Sequence, residues 1–563
     1  MSLDQPLSES GTLDLPGADK TSAAIPRRSL WGLISISLFW LALNFHWTAF
    51  LIIILPSQVE ALLAHSYLQS HAASFNAGDF SNFINNNKAV ALALVSSPGL
   101  LVALVSNPLF GMFSDRTSSR WGRRRPYILG GTLLNVVGLF LMMAAPNIIT
   151  LMLALCLVQL ANNAAAAPFH AYLPDLVNEE QRGTAAGIMG FAQILGIILG
   201  AVLTGLFLSI NPVLKATSPA ALTSALSTYS NQLVVVYAIV AGFIFVLMLV
   251  TIVAVKEPPW QRPALASASG GAAAGPGWFA RYRRQVSEGA LALVALVVVL
   301  VGALLILQAA GVSFDLDGAH LAHSDTQSAN NANVGINVVL LIVMLIVTVW
   351  AARLFDFRPR RDPDFAWVVG TRLLMMLGID TVQAFLQYYF HDVLGSQNQE
   401  AQAGNFVTLL TLAAALTTFF GGWLSTRYGR KRMVYLSGGL MTAVAVIFIA
   451  LNFLVTGGAL SPNTGIGIAL VGGAIFGLGY GAYLSVDWAL VADVLPSKER
   501  YARDMGVWNI ALTIPQVVAF VIGSILLSVA APPSVRYTLL FVTFIAYCLA
   551  GTVTIRYIKG VKR

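Results

Sequence analysis

Apolar runs of membrane-crossing length recur along almost the whole chain, divided by short polar connections. Six lie near 31–55, 89–113, 126–146, 149–173, 184–210 and 232–255, and six more near 365–391, 405–425, 433–455, 465–492, 505–530 and 536–557. Two further runs, 289–311 and 334–355, flank a polar stretch carrying Asp315, Asp317 and Asp325. About 20 helical residues cross a bilayer core, so the pattern predicts about fourteen transmembrane helices. The expected fold is an all-α integral membrane protein: two six-helix repeat bundles plus a two-helix central insert. The segments are a tail (1–30), a first bundle (31–255), linkers with the two extra helices (256–364), and a second bundle with a short basic tail (365–563). A re-entrant hairpin in place of the insert would leave the other twelve spans in the same orientation.

Composition strengthens this picture. The 563 residues are 57% hydrophobic and only 10% charged, where soluble chains carry about a quarter charged residues. Mean hydropathy is +0.74. Soluble-enzyme and nucleic-acid-binding readings are disfavoured, and the net charge of +8 is explained by topology. Of the 33 Lys and Arg, all but Lys88, Lys215, Arg536 and the intra-span Arg372 fall on one side, which places both termini in the cytoplasm. The outer stretches 57–88 and 312–333 read as solvated connectors. Cys156 and Cys548 imply no disulfide framework and no metal site. No nucleotide-binding or hydrolase motif appears, so neither enzyme activity nor a cofactor is expected, and an ion gradient is the expected energy source. The chain has no Asn-x-Ser/Thr site, which points towards a bacterial inner membrane.

An internal repeat follows. The loop from Gly111 to Pro126 reads GMFSDRTSSRWGRRRP, and that from Gly422 to Arg432 reads GWLSTRYGRKR. Aligned, Asp115-Arg116 stand opposite Thr426-Arg427, and Gly122-Arg123 opposite Gly429-Arg430. The fourth span ends at Asp175 and its counterpart at Asp493. Parallel six-helix halves are the mark of a rocking transporter with its site near the bilayer midplane. The duplicated G-x-x-x-D-R…G-R-R pattern resembles the major facilitator superfamily, and SDRTSSRWGRRRPY at Ser114–Tyr127 is similar to the glycoside and sucrose–proton symporter branch. That resemblance implies a central cavity lined by the first and fourth helices of each half. Sucrose porters have twelve helices, and the central pair here resembles peptide transporters and drug antiporters with fourteen.

At the repeated loops, Asp115 at a helix end can accept backbone N–H bonds or offset the dipole of a helix starting near Gly506. Arg116, Arg123 and Arg124 are expected to pair with Asp175 or Asp115, with Arg427, Arg430 and Asp493 as counterparts, closing the cytoplasmic side in the outward-facing state. The positive-inside rule accounts for Arg120 and Arg125 without a gating role.

Ionisable groups within spans mark pathways, and the pattern offers three: Arg372, Asp380 and Asp487. Arg372, Asp380, Gln383 and Gln387 fall on one helical stripe, and the depth of Asp487 permits a pair with Arg372. Asp380, without a cation one turn away, is the expected proton carrier; permanent hydrogen bonding is the alternative. Gln159, Asn163 and His170 form a second stripe, for a ligand or for helix packing. Asn44, His46 and Trp47 add a third group at similar depth to Asp380. Amides suit a hydroxyl-rich ligand, and Trp47, Trp488 or Trp508 suit a sugar-ring face. The glycines Gly196, Gly200, Gly473, Gly477 and Gly481 read as helix-packing positions. The leading expectation is a monomeric, proton-coupled sugar or glycoside symporter. The alternatives are a fourteen-helix antiporter exporting amphipathic compounds and a non-transporting sensor or assembly factor.

Overall fold

The computed structural model describes residues 27–117, 119–170, 172–255, 257, 342, 346, 359–494, 501–529 and 531–559. The insert spans expected at 289–311 and 334–355, the polar stretch between them and the tail 1–26 lie outside the described residues, apart from the isolated positions 342 and 346. Every long element described is a helix, and no strand occurs among the described residues. Ten of the helical stretches are long and apolar enough to cross a membrane, so the chain is a multi-pass membrane protein.

In the first half, α1 (Leu30–Thr48) passes through a π-helical turn at Ala49–Ile54 directly into α2 (Leu55–His71). There follow α3 (Ala77–Arg116), α4 (Arg125–Met143), α5 (Ile148–His170), the short α6 (Tyr172–Leu176), α7 (Arg182–Phe207), the single turn α8 (Asn211–Leu214) and α9 (Pro219–Ala254). The second half holds α10 (Pro363–Gln383), α11 (Leu386–Asp392), α12 (Gln399–Tyr428), α13 (Arg430–Thr456), α14 (Pro462–Val494), α15 (Tyr501–Leu527) and α16 (Pro533–Thr554).

Packing is duplicated as the sequence repeat requires. In the first half α3 and α4 pack on α5, while α7 and α9 pack on α1; in the second, α12 and α13 pack on α14, while α15 and α16 pack on α10. The halves meet through α7 against α12 and α3 against α15. Glycine permits the closest approaches. A Cβ at Gly196 or Gly200 would stand 2.4 or 2.5 Å from the carbonyl oxygens of Leu41 or Phe45 on α1. At Gly477 or Gly481 it would stand 2.2 or 2.1 Å from those of Leu410 or Ala414 on α12. Without a hydrophobic driving force between helices in lipid, such backbone proximity supplies the packing attraction. The matched loop glycines Gly122 and Gly429 both take positive φ, 100° and 90°, so both copies of the motif make the same kind of turn.

One expectation is overturned. The stretch 57–88 is not a solvated connector but mostly helix, and Ser57, Gln58, Glu60, Ser66, Asn87 and Lys88 are buried. Its polar residues are tolerated inside because they find partners: Tyr237 Oη donates to Gln58 Oε1 at 2.7 Å, and Gln58 Nε2 donates to the Met142 carbonyl at 2.7 Å.

Candidate functional site

Three regions hold chemistry: the centre of the second half, the basic end carrying the repeated loops, and the far end opposite them. At the centre, α10 and α14 bring Arg372 and Asp487 into a buried ion pair through Nη1 and Oδ2. The Arg372 guanidinium stacks 3.5 Å from the centroid of the Trp508 ring, which is fully buried, and Tyr483 Oη donates to Asp487 Oδ1 at 3.3 Å. A buried ion pair persists only where its remaining polar atoms and faces are also satisfied, and the ring and the phenol do this. Trp508 therefore braces the arginine and does not offer its face to a ligand.

Two turns along α10, Asp380 is half-buried, and its Oδ2 meets no hydrogen-bond partner. Tyr480 of α14 lies close enough to sense its charge. Tyr480 and Gln383 line a cavity of about 150 Å³ together with Thr48, Ile52, Phe448 and Phe544. Most of its wall is apolar or aromatic. Sites for drug-sized ligands measure roughly 300–1,000 Å³, so in this conformation the cavity is contracted below the size of a disaccharide.

The expected stripe on α10 is interrupted. The helix ends at Gln383 and restarts as α11 at Leu386, so Gln383 faces the open cavity while Gln387 is buried against α2, its amide 2.6 Å from Ser57 Oγ. The stripe on α5 faces α3. Asn107 Nδ2 donates to Asn163 Oδ1 at 2.9 Å, Asn163 Nδ2 donates to the Gln159 carbonyl at 2.8 Å, and Gln159 is buried where Gly99 of α3 makes room. His170 is exposed and edge-on to Trp40. Asn44 donates to the Trp40 carbonyl at 2.8 Å. His46 is fully buried among Trp47 and Phe50, with neither ring nitrogen bonded.

At the basic end, Arg123 Nη2 donates to Asp175 Oδ2 at 2.6 Å, Arg124 Nε donates to the same oxygen at 3.2 Å, and Arg124 Nη1 donates to Ser114 Oγ at 2.6 Å. The sequence did not single out Glu257, whose carboxylate accepts the backbone N–H groups of Arg123, Arg124 and Arg125. Arg123 and Arg124 meet Asp175, one of the two partners expected for them, but these contacts stay within the first bundle and the linker that follows it and do not themselves join the halves. In the second copy, Arg430 opens α13, and Arg427 stands 5.9 Å from the Tyr428 ring. The side chains of Asp115, Arg116, Trp488 and Asp493 lie outside the described residues.

The far end holds what sequence reasoning missed. Lys88 of α3, almost fully buried, sits 3.4 Å from Glu60 of α2, pairs across the halves with Asp392 of α11, and lies 4.8 Å from the centroid of the Tyr388 ring. Tyr537 Oη donates to Asp392 Oδ2 at 2.8 Å, and His391 Nδ1 lies 2.9 Å from Oδ1. Asp392 stands beyond the candidate spans. Burial alone would raise its pKa, but Lys88 and His391 override this and hold the carboxyl well below the usual carboxylate range. Gln399 Nε2 donates to Glu60 Oε2 at 2.9 Å, and Tyr388 Oη donates to the Pro56 carbonyl at 3.2 Å. Glu400, fully buried, accepts from the Ile210 backbone N–H at 2.8 Å and from Ser57 Oγ at 3.3 Å. Among the described residues, the hydrogen bonds joining the halves gather here, so the conformation is one closed at the far end.

The chain thus has paired helical halves, an end where the halves are bonded together and a small central cavity, and comparison with known proteins adds the family. The family described as MFS/sugar transport protein matches residues 40–355, and the Major Facilitator Superfamily matches residues 368–560. The chain belongs to the MFS/sugar transport protein family of the major facilitator superfamily and is a membrane transporter rather than an enzyme.

The chain is 36% identical over 122 residues to solute carrier family 45 member 4 of Homo sapiens, which covers 19% of this chain and 16% of that one. It is 35% identical over 122 residues to the general alpha-glucoside permease of Schizosaccharomyces pombe, covering 18% and 22%. It is 28% identical over 124 residues to sucrose transport protein SUC3 of Arabidopsis thaliana, covering 18% and 21%. The matches thus span only about a fifth of these relatives' length. Among solved structures, a peptide transporter POT in complex with alafosfalin aligns with TM-score 0.59 at 14% identity, over 96% of this chain and 98% of that one. The nucleoside transporter NupG aligns with TM-score 0.53 at 11% identity, over 94% and 100%. At such identity these share the fold alone.

Proposed function

We propose that this chain is a proton-coupled symporter of a sugar or glycoside. It acts as a monomer by rocking its two halves, in an inner membrane with the basic end and both termini in the cytoplasm. The boundaries at 30, 255 and 364 divide tail, first bundle, linkers with the extra helix pair and second bundle. The likeness to an alpha-glucoside permease and a sucrose transport protein supports the substrate class. One observation carries the coupling: Asp380 follows the cavity-lining Ile379 on α10 and has a buried, unbonded oxygen, while Arg372, two turns away on the same helix, is already committed to Asp487. A carboxyl so placed can take up a proton with substrate and release it on the other side.

Gln383, Thr48, Thr411 and Tyr480 are the polar groups for sugar hydroxyls in the present conformation. His46, Asn44, Trp47, Trp488 and His170 join them as the cavity widens, while Asp115, Arg116, Arg427, Arg430 and Asp493 act in gating at the basic end. Radiolabelled mono- and disaccharide uptake into proteoliposomes under an imposed pH step tests the reading. Asp380→Asn retains sugar exchange and loses pH-driven accumulation; unchanged accumulation removes Asp380 as the carrier.

The largely apolar wall, with Phe406, Phe448, Phe476, Phe541 and Phe544, favours a second reading, export of amphipathic compounds by proton antiport. Resistance to lipophilic cations on expression, without sugar entry, would select it.

A further inference from the structure

The far-end cluster sets the ammonium of Lys88 against three carboxylates, the buried Glu60 and Glu400 and the partly buried Asp392, and Lys88 is taken by two of them, Glu60 and Asp392. Glu400 is the third. Among the described residues no cation pairs with it, and its Oε2 is buried with no hydrogen-bond partner. Its Oε1 accepts from Ser57 Oγ and the Ile210 N–H, and both donors belong to the first half whereas Glu400 belongs to the second.

The groups facing Glu400 do not favour negative charge. Glu60 faces it from α2, itself held by Lys88 and Gln399, with Asp392 and His391 beyond. Tyr229 faces it from α9 with a buried, unbonded hydroxyl. The start of α12 does favour an anion, but only modestly and within the first turn. A buried carboxylate with one oxygen unsolvated and another carboxylate nearby is the costlier form, and the neutral acid keeps both hydrogen bonds to Oε1.

We propose that Glu400 is a second proton-binding site of this transporter, distinct from Asp380, and that its protonation closes the far end. Opening separates Glu400 from Ser57 and Ile210 and exposes it to water, where it releases its proton; reclosure takes one up from the far-side solution. This rests on the alternating-access part of the reading above and is independent of the sugar.

Pulsed spin-label distances across the far end test it. The full chain in nanodiscs carries labels at Thr217→Cys and Asn463→Cys, in a background with Cys156→Ser and Cys548→Ser, without substrate, from about pH 5 to about pH 8.5. With Glu400 intact, the closed-to-open ratio rises as pH falls, by up to about tenfold per unit over the titrating range. Glu400→Gln keeps the short distance throughout, with less than about a twofold change in the ratio. Glu60→Gln retains the pH response. Ser57→Ala, which weakens the closed form without touching the carboxyl, moves the midpoint to lower pH. Glu400→Gln following the parent curve, a parent with no pH response, loss of the response in Glu60→Gln instead, or an unmoved midpoint in Ser57→Ala would each overturn the assignment. Because no sugar is present, failure of the sugar reading leaves this result intact.

Discussion

Two buried ion pairs of similar chemistry have opposite mechanical consequences. Arg372 and Asp487 belong to helices of the same half, so the pair travels with that half through any rocking motion. Lys88 reaches from the first half to Asp392 in the second, so the far end cannot open until that contact breaks. Burial and geometry are alike; what differs is whether the pair crosses the seam between the halves, along which the proposed rocking would run. The central pair is a strut and the far-end pair a latch.

The largest expected effect tests the strut. Arg372→Met leaves Asp487 buried without its cation and strips Trp508 of its stacked partner, a loss of roughly 3–5 kcal/mol. Thermal unfolding in detergent should show it, and the double variant Arg372→Met, Asp487→Leu should recover much of it, because the unpaired charge is gone. Far-end distances should be unaltered in the double variant. A changed open fraction there would show that the pair senses the motion after all.

Lys88→Met tests the latch. It should remove roughly 2–3 kcal/mol from the closed form alone, because Glu60 and Asp392 regain water on opening. The effect depends on pH with a definite sign. Asp392 is held below its ordinary range, so its pairing stabilises the closed form above the ordinary Asp value of about 3.9 and is lost as pH falls through the lowered one. Without Lys88 the largest opposition to burial is gone, and of the two only His391 still holds the carboxyl down. The variant's deficit in closed fraction should therefore be largest near neutral pH and narrow towards about pH 4. A deficit that is constant with pH would mean the lysine acts through packing.

Much of the scaffold was legible because membrane solvent leaves strong marks. Runs of fixed length, one-sided arginines and a duplicated loop led to two repeated halves and to the matched glycines Gly122 and Gly429. Helical rise put Asp487 at the depth of Arg372 and so permitted the pair that the structure contains. The far end was illegible for a physical reason. Ser57, Gln58, Glu60 and Lys88 have the composition of a loop, and partners far along the chain make their burial tolerable: Gln387, Asp392, Gln399 and Glu400, more than 300 residues away, for Ser57, Glu60 and Lys88, and Met142 and Tyr237 for Gln58. The amide stripe on α5 left a choice between ligand and helix packing that the sequence could not make: a helical angle says which residues share a face, not that α3 occupies it. The break between Gln383 and Leu386 left no mark in hydropathy, yet it turns Gln387 away from the cavity.

The basic end supplies the smaller tests. At Gly122, φ is 100° and an added Cβ would stand 2.2 Å from Glu257 Oε2. Gly122→Ala therefore strains the backbone and displaces the carboxylate that holds the N–H groups of Arg123 to Arg125, at about 1–3 kcal/mol, read by thermal unfolding.

Smallest is Arg123→Ala. The pair with Asp175 is about a quarter exposed on both sides, and Arg124 still donates to the same oxygen, so no more than about 1 kcal/mol is expected. Arg123, Asp175 and Arg124 all lie in the first half, which makes this a strut of the weaker kind, and the far-end closed fraction should stay within about twofold of the parent. A larger change would assign Arg123 a contact across the halves in the opposite state, the gating role that the repeated loop suggested. The outcome decides whether the motif's arginines brace one bundle or alternate between two.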